Sequence, residues 1–469
     1  MYQLKDLDDT IVAIATPPGQ GGIGIVRLSG PRSLEIANQI FLAKNNKKVS
    51  TFKNFTVNYG WVVRPGREKN HPDIIDEALL TVMRAPQSYT KEDVVEISCH
   101  GGIVLLRTIL SLAIDLGARL AEPGEFTKRA FLNGRIDLTQ AEAVLDIIQS
   151  KTEAFLRVSN NQLRGELSLE LEAIREELMN VYTEIEAIVN FPEDEIEAQG
   201  RGELLELIQK AEERVAKLLK SSEQGKILKE GIKIVLCGKP NVGKSLLLNT
   251  LLRQPRAIVT DIAGTTRDTI EETAQIKGIP FQLVDTAGIL EPRDLIEEEA
   301  IKRSHMYINS ADLILFMLDG SRPLSNEDEN LMNKINGKNI LIAINKCDLE
   351  NRLDDNSLKK FLGKEETVKI SALKNIGIDI LEQAIVDRVW RGGVEQSDGL
   401  LVTNLRHIQA LKNCHENLIK GRQILAQNIS LEFISEEIKS AVNALDNITG
   451  RNIDADLLDK IFSAFCIGK

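Results

Sequence analysis

The chain has 469 residues, 27% of them charged and 43% in the hydrophobic class, which is ordinary globular composition. This length exceeds what one hydrophobic core serves, so we expect two to four domains. The net charge of −11 gives no support for nucleic-acid binding through overall charge, and such a partner would need a local basic patch.

The first residues of the sequence do not have the pattern expected of a targeting signal. Residues 1–9 are acidic and lack an apolar signal core, and no apolar run in the chain approaches the ~20 residues that a bilayer requires. The five cysteines are scattered, with neither a C-x-x-C pair nor the Cys/His spacing of zinc ligands. We therefore predict a cytoplasmic protein of a reducing compartment, without a membrane partner.

Residues 1–130 are predicted to form a mixed α/β domain. Short runs rich in β-branched residues alternate with turn signals such as the Pro-Pro-Gly at 17–19. The predicted strands are 10–15, 24–28, 57–63, 78–83 and 94–99.

Residues 131–230 and 389–469 are predicted to be helical. Between 167 and 188 apolar residues recur at spacings of four and three, which places them on one face of a long helix, and 204–218 repeat this period. Such stripes fit a helix bundle or a coiled-coil seam. Helical periodicity returns at 434–445, so one bundle made from both halves, with the intervening domain inserted, is the economical arrangement.

Residues 231–388 are predicted to form a doubly wound, mostly parallel sheet, because apolar strand runs alternate with helical stretches. The predicted strands are 233–236, 281–285, 313–318, 340–345 and 367–370.

The segment 238–245 fits the phosphate-binding pattern G-x-x-x-x-G-K-[ST] between a strand and an apolar helix. Backbone N–H groups of such a loop surround the β-phosphate, while Lys244 supplies a cation and Ser245 offers a hydroxyl to Mg²⁺. The predicted nucleotide contacts here are Asn241, Val242, Gly243, Lys244, Ser245 and Leu246.

Two further motifs belong to γ-phosphate recognition. Asp285, at a strand end, begins D-x-x-G: its carboxylate can hold Mg²⁺ through water, and the N–H of Gly288 can read the γ-phosphate. Thr266 lies between this motif and the phosphate loop, where a switch threonine belongs. The predicted contacts are Thr260, Asp261, Ile262, Ala263, Gly264, Thr265, Thr266, Asp285, Thr286, Ala287 and Gly288.

The base is read by two later motifs. In the N-K-C-D of 345–348, the carboxylate of Asp348 can accept both N–H groups of guanine, and adenine would leave it unpaired. Ser371-Ala372 follows the next strand and places a backbone N–H near the guanine O6. The predicted contacts are Asn345, Lys346, Asp348, Ser371, Ala372 and Leu373, and the ordered set predicts GTP as the ligand.

The usual water-orienting residue is absent. In Ras-like proteins a glutamine follows the glycine of D-x-x-G, whereas this chain has Ile289, which cannot hydrogen-bond through its side chain. Either hydrolysis is very slow or another group orients the water.

Segments outside these motifs carry a family resemblance over essentially the whole chain. They are 15–27, 92–102, 122–138 and the terminal Phe-Cys-Ile-Gly-Lys at 465–469. Together with the phosphate loop and Gly-Thr-Thr-Arg-Asp at 264–268, they resemble the MnmE (TrmE) family of bacterial tRNA-modification GTPases, in the group that includes Era and EngA. The resemblance implies an α/β multidomain fold: a folate-binding dimerisation domain (1–130), a helical domain (131–230 and 389–469) and an inserted Ras-like P-loop G domain (231–388).

The resemblance also implies a reaction. Homodimers of the family work with the flavoprotein MnmG, implied here as a heterotetramer. They form an aminomethyl or carboxymethylaminomethyl group at C5 of the wobble uridine in certain tRNAs. The one-carbon unit comes from 5-formyl- or methylene-tetrahydrofolate.

Family G domains resemble one another in being activated by dimerisation with K⁺, whose charge can offset that of the transition state. By match, K⁺ would be held by Asn241, Thr260, Ile262 and Thr265, and Mg²⁺ by Ser245 and Thr266. The implied catalytic residues are Lys244, Thr266 and Glu297. Pro292 and Ala300 depart from the family pattern near Glu297, which an acidic helix start would also explain.

The match further carries over a folate site of Arg27, Glu96, Arg135 and Lys469. Basic groups suit the folate's glutamate tail and a carboxylate suits the pterin, although each residue taken alone is more often a surface charge. Cys466 resembles a family cysteine linked to the modification reaction, and a small packing residue beside Phe465 would explain it as well.

Two other functions remain open. A GTP-operated assembly factor for ribosome or RNA maturation would need a basic RNA-binding module, which neither terminus displays. A folate-dependent one-carbon transferase regulated by GTP would share the folate site.

Overall fold

The computed structural model describes residues 8–65, 73–190, 198–252, 271–285, 306–354, 366–390, 400–427 and 430–469. The chain divides into two units. The first contains Met1–Leu145, Gln162–Met179 and Lys439–Lys469, and the second contains Asp146–Asn161 and Asn180–Ile438. None of the described helices is long and apolar enough to cross a membrane.

The first unit is built on a sheet of seven described strands. They are β1 (Ile11–Ile14), β2 (Gly21–Ser29), β3 (Phe41–Ala43), β4 (Thr56–Val63), β5 (Ile74–Met83), β6 (Val94–Gly101) and β7 (Arg119–Leu120). Their order is β3-β4-β5-β6-β2-β1-β7. Neighbours are antiparallel except β1 and β7, which are parallel. All five predicted strands are present, and the short β3 and β7 are additional.

One face of this sheet is covered and the other is open. Helices α1 (Ser33–Ile40) and α2 (Ile103–Asp115) pack on the covered face, where Leu28, Ile36 and Ile109 are fully buried. Alternate residues of β4 and β5 point away from that core, so Val57, Tyr59 and Leu79 are exposed. Strand alternation thus produces an apolar open face.

The helical part contains segments from both ends of the chain. The described helices are α3 (Glu125–Leu132), α4 (Leu138–Gln149), α5 (Glu153–Leu163), α6 (Glu166–Asn190), α7 (Ala198–Glu230), and later α11 (Leu405–Ala426), α12 (Leu431–Thr449) and α13 (Ala455–Ser463). Ion pairs join the two halves: Arg175 of α6 binds Asp446 of α12 at 2.5 Å, and Arg422 of α11 binds Glu212 of α7 at 2.7 Å. The predicted apolar stripe of α6 is buried from Leu167 to Ile185. Helices from before and after the inserted segment therefore pack together.

The second unit contains a sheet of six described strands. They are β8 (Ile232–Cys237), β9 (Glu271–Ile276), β10 (Ile279–Asp285), β11 (Leu313–Asp319), β12 (Ile340–Asn345) and β13 (Thr367–Lys369), in the order β13-β12-β11-β8-β10-β9. All pairs are parallel except β9 with β10. Helices α8 (Lys244–Leu252), α9 (Asn326–Ile335) and α10 (Ile378–Val389) accompany it. The predicted doubly wound α/β fold is confirmed, and the antiparallel edge strand β9 was not predicted.

Both faces of this sheet are buried, which explains the continuous apolar runs of its central strands. Along β11, Leu315 and Met317 belong to the core shared with α8 and α10, while Ile314 and Phe316 belong to the core on the α9 side. The strand order reverses at β8, which has β10 on one side and β11 on the other. The carboxyl end of β8 is thus the switch point where such folds bind ligands.

Candidate functional site

The phosphate loop occupies that switch point. It connects Cys237, the last residue of β8, to Lys244, the first residue of α8. Gly238 (φ +149°) and Gly243 (φ +102°) have no room for a side chain: a Cβ would lie 2.6 Å from the Met317 carbonyl and 2.3 Å from the Asn345 amide, respectively. Asn241 adopts a left-handed φ of 65°. The glycine spacing of the motif therefore follows from close backbone approach, and the loop delivers peptide N–H groups to a helix amino terminus.

The loop lysine is held inside the loop. The Lys244 side chain is buried, and its Nζ donates to the carbonyls of Gly238 and Lys239, each at 2.8 Å. Ser245 follows in the first turn of α8 and is exposed. A cation and a hydroxyl are thereby adjacent at the point where phosphate and Mg²⁺ chemistry is expected.

The asparagine of N-K-C-D connects the two halves of the nucleotide site. Asn345 is buried at the end of β12, donates its Nδ2 to the Val242 carbonyl at 2.8 Å, and accepts the Ala372 N–H at 3.0 Å. Val242 is itself buried, so its predicted nucleotide contact can come only from its backbone. One side chain thus ties the phosphate loop to the Ser-Ala turn.

The surroundings of Asp348, the predicted guanine-reading residue, favour its ionised form. The Asp348 side chain is 8% exposed and lies 3.7 Å from Lys374 Nζ. A hydrogen bond from the Ser371 hydroxyl and the nearby Lys374 charge lower its pKa. An ionised carboxylate only accepts hydrogen bonds, as pairing with the two guanine N–H groups requires. Leu373 is strongly exposed next to this turn.

Lys346 is positioned by a residue that the motifs did not reveal. It adopts φ 66°, and its Nζ donates to Asp319 Oδ2 at 2.7 Å, while Asp319 Oδ1 accepts from the Ser321 N–H and hydroxyl. Burial alone would raise the pKa of Asp319, but these hydrogen bonds outweigh it and the pKa is lowered. The sequence signal that could have identified Asp319 is its position as an acidic last residue of the otherwise apolar strand β11.

Part of the predicted nucleotide and metal set lies outside the described residues. Asp285 is described only as the backbone end of β10, paired with Leu236 of β8. The residues outside the description are Thr260, Asp261, Ile262, Ala263, Gly264, Thr265, Thr266, Thr286, Ala287, Gly288, Ile289, Pro292, Glu297 and Ala300, together with the predicted connection at 391–399.

In the first unit, the structure brings three of the four predicted folate residues together. Arg27 of β2 faces Glu96 of β6 in register, with Nε and Oε1 2.7 Å apart. Its Nη1 donates to the Gly468 carbonyl at 3.2 Å, next to Lys469, and its guanidinium lies 5.5 Å from the Phe126 ring centroid. A cation, a carboxylate and an aromatic ring therefore converge on the chain terminus.

The terminal tail is seated by backbone contacts. Gly124 N–H donates to the Cys466 carbonyl at 3.3 Å, and Phe126 N–H donates to the Lys469 carbonyl at 3.1 Å. Gly468 has φ +93°, and a Cβ there would lie 2.5 Å from the Ile14 carbonyl. Cys466 is exposed, so it is not a buried packing residue. Sequence reasoning identified the tail and missed Phe126, on which it rests.

Arg135, the fourth predicted folate residue, packs against an aromatic ring outside the cluster of Arg27 and Glu96. Its guanidinium sits 4.8 Å from the centroid of Tyr89, whose hydroxyl is 2.9 Å from the Thr127 hydroxyl. Within the described ranges, the contacts of Arg135 include neither Arg27 nor Glu96 nor Lys469. The structure therefore places this fourth predicted residue beside Tyr89.

Comparisons with known proteins identify the family of this chain. A family model described as the MnmE helical domain matches residues 138–466, and one described as the GTP-binding protein TrmE N-terminus matches 10–135. The tRNA modification GTPase MnmE of Alkaliphilus oremlandii is 45% identical over 463 residues, 99% of this chain and 100% of that protein. That of Clostridioides difficile is 44% identical over 463 residues, with the same coverage. A structure of Aquifex aeolicus Era covers 40% of this chain and 66% of its own at 29% identity, with a TM-score of 0.29, too low to define a shared fold.

The phosphate loop at the switch point of a doubly wound sheet, joined through Asn345 to the turn predicted to read guanine, is typical of a P-loop GTPase. The chain is thus a GTP hydrolase. Within this class, full-length identity of 43–45% and two family models show that it belongs to the MnmE family of tRNA modification GTPases.

Proposed function

We propose that this chain is a K⁺-activated GTPase that works as a homodimer with the flavoprotein MnmG on tRNA in the cytoplasm. Together they would form the aminomethyl or carboxymethylaminomethyl group at C5 of the wobble uridine, using a one-carbon unit from 5-formyl- or methylene-tetrahydrofolate. The observation that carries the proposal is the joint presence, in one chain, of the nucleotide site and the Arg27–Glu96–Lys469 cluster. The proposed domains are 1–130, 131–230 with 389–469, and 231–388.

Magnesium binding is supported by the donor set at the phosphate loop. Ser245 offers a hydroxyl in the first turn of α8, and Asp285 ends the adjacent parallel strand at the same sheet edge. Hard oxygen ligands of this kind suit Mg²⁺. Bound there, Mg²⁺ would neutralise phosphate charge, while Lys244 holds the β- and γ-phosphates and Thr266 completes the site.

Potassium activation is supported by the character of Asn241. This side chain is exposed in the loop at a left-handed backbone position, so its neutral oxygen is accessible to a cation from outside the loop. Thr260, Ile262 and Thr265 would supply further oxygens. Because Ile289 cannot orient water, Glu297 is proposed for that role.

Folate binding is supported by the polarity of the cluster around the tail. Arg27 and Lys469 suit the folate's carboxylates, and Glu96 suits the amino and ring N–H groups of the pterin. Arg135 is proposed at the periphery through Tyr89, and Cys466 as an accessible thiol near the carbon transfer. The open apolar face bearing Val57, Tyr59 and Leu79 is continuous with this site on the sheet and supports dimerisation through the first unit.

Two experiments test the proposal. Mass analysis of tRNA from cells lacking the gene should show loss of C5-aminomethyl-type wobble uridines, and unchanged uridines would refute the tRNA role and favour an assembly factor. GTP hydrolysis by the purified protein should be much faster in KCl than in NaCl at equal ionic strength. Equal rates would refute K⁺ activation while leaving GTP binding intact.

A further inference from the structure

A basic surface interrupts this acidic chain. Between β3 and β4, residues 44–53 contain four lysines and no acidic residue, and we call this segment the lysine loop. Arg84, just after β5, donates its Nη2 to the Ser50 carbonyl of the loop at 2.7 Å. The cations gathered here are Lys44, Lys47, Lys48, Lys53 and Arg84, and all four lysines are exposed.

The lysine loop is anchored to the sheet core. Val49 and Phe52 are buried among the residues packed under the sheet, and the Val49 N–H donates to Asn38 Oδ1 of α1 at 3.0 Å. The Thr51 hydroxyl donates to the Lys48 carbonyl at 2.7 Å. The lysines therefore project from a fixed backbone, which lowers the entropy lost when they bind a partner.

An aromatic side chain stands beside these cations. Phe55 is 62% exposed and adopts φ 54°, a left-handed conformation that is unfavourable for a bulky residue. Asn54 stabilises it, because Asn54 Oδ1 accepts the Phe55 N–H at 3.0 Å and the Arg84 N–H at 2.8 Å. The backbone is strained at the point where an apolar ring is presented to solvent, a combination typical of functional positions.

The charges of this surface are unneutralised. Within the described residues, ion pairs involve none of Lys47, Lys48, Lys53 and Arg84. Elsewhere in the same unit Arg27, Arg119 and Arg129 each pair with a carboxylate. The surface thus retains a local positive field on a protein whose net charge is −11.

We propose that the lysine loop, Arg84 and Phe55 form a docking surface for RNA. The cations would contact phosphates, and Phe55 would stack on an unpaired base, the combination by which proteins hold exposed nucleotides. The inference rests on the proposed function, in which tRNA is the substrate, and adds the surface that holds it. A two-fold contact between copies would place this positive surface against itself, which disfavours self-association here.

The charge contribution is tested with matched variants of the full-length protein. K47Q/K48Q/K53Q removes three loop lysines, and K412Q/K420Q/K439Q removes three exposed lysines of α11 and α12, so both change the net charge equally. Affinity for a substrate tRNA transcript is measured by fluorescence anisotropy across a KCl series. The loop variant should bind about tenfold or more weakly, with a slope of log Kd against log salt smaller by about 2–3. The control should match wild type.

The contribution of Phe55 stacking is tested with a second pair of variants. Phe55→Ser should weaken tRNA binding about fivefold or more without changing the salt slope. Val104→Ser, at a similarly exposed position on α2, should leave binding unchanged. Circular dichroism spectra and GTP hydrolysis should be normal in all four variants, which reports that both units are folded.

The outcomes separate this inference from the proposed function. If wild type binds tRNA and the loop variant binds with the same affinity and slope, the surface proposal is wrong and the tRNA role stands. If wild type does not bind tRNA, the surface proposal is wrong, and the tRNA role is decided by the mass analysis of wobble uridines. Sedimentation velocity provides a second test of the surface proposal. A loop variant that dissociates into monomers while keeping its tRNA affinity would contradict RNA docking and identify the surface as a subunit contact.

Discussion

The side-chain amide of Asn345 donates a 2.8 Å hydrogen bond to the backbone carbonyl of Val242 in the phosphate loop. Strand β11 separates β12, which ends at Asn345, from β8, which leads into that loop. The bond therefore spans the sheet edge, and the bond from the Ala372 N–H to the same side chain extends the connection to the turn predicted to read guanine. The predicted phosphate and base sites thus share one buried side chain.

Replacing that side chain should weaken nucleotide binding as a whole. Asn345→Ala leaves the Val242 carbonyl and the Ala372 N–H without their partner, at about 1–3 kcal/mol, so we expect about 10- to 100-fold weaker binding of both GTP and GDP. Fluorescent-nucleotide titration measures this. Asn339→Ala, an exposed position at the opposite end of β12, should bind normally. Equal affinities of the two variants would refute the connecting role.

Base selectivity should depend on Asp348. Asp348→Asn replaces an ionised acceptor with an amide that can donate to the C2 carbonyl of xanthine, so GTP should bind at least about 100-fold more weakly and XTP should become the preferred ligand. Competition binding with GTP, XTP and ATP measures the order. Asp379→Asn, exposed at the start of α10, is the control. A variant that still prefers GTP would contradict the assignment.

The Asp319–Lys346 pair should make stability depend on pH in one direction. The pKa of Asp319 in the folded protein is lowered from the ordinary value of 3.8, so its stabilisation is complete above that pH and disappears as the pH falls through the folded-state pKa. At neutral pH, Asp319→Asn should lose about 1 kcal/mol, or ~2–4 °C in the calorimetric transition of the nucleotide-binding unit.

The difference between wild type and this variant should shrink as the pH falls below 3.8, the ordinary value for the carboxyl. A constant difference down to acid pH would indicate that the pair does not carry the effect.

Adding one methyl group at Gly468 should displace the terminal tail from its contacts. In Gly468→Ala the new Cβ meets the Ile14 carbonyl at a left-handed φ, so the tail should leave its contacts. We expect Lys469 to be removed by carboxypeptidase B about tenfold faster, and tetrahydrofolate to bind more weakly. Gly22→Ala, where a Cβ meets no atom within 4 Å, is the control. Identical digestion rates would contradict the seated tail.

Local patterns were enough to predict much of the fold. Apolar runs such as 340–345 produced a strand with the predicted bounds, since a strand buried on both faces needs an uninterrupted apolar sequence. The helical stripe predicted over 167–188 is present as α6, which ends at Asn190. Strand β9 was missed, since Glu271–Ile276 mixes charged and apolar residues at a sheet edge and lacks a buried-strand signature.

Long-range contacts limited prediction of the sites. The motifs identified Lys346 and Asp348 because their spacing is local. The pairing of Lys346 with Asp319 joins residues 27 apart, and the contact of Arg27 with Gly468 joins residues 441 apart. No pattern of residue spacing predicts contacts between residues so far apart in the sequence, because these contacts depend on strand order and on the path of the terminal tail. Phe126 was invisible for the same reason: only the fold places it under Arg27.

GTP hydrolysis at this phosphate loop should be required for tRNA modification. The most direct measurement is rescue: cells lacking the gene receive either wild type or the Lys244→Ala variant, and their wobble nucleosides are quantified by mass spectrometry. We expect wild type to restore the C5-aminomethyl-type uridines. The variant, which lacks the buried cation of the loop, should accumulate to the same level and fail to restore them. Full restoration by the variant would show that the modification does not need this lysine or the hydrolysis it supports.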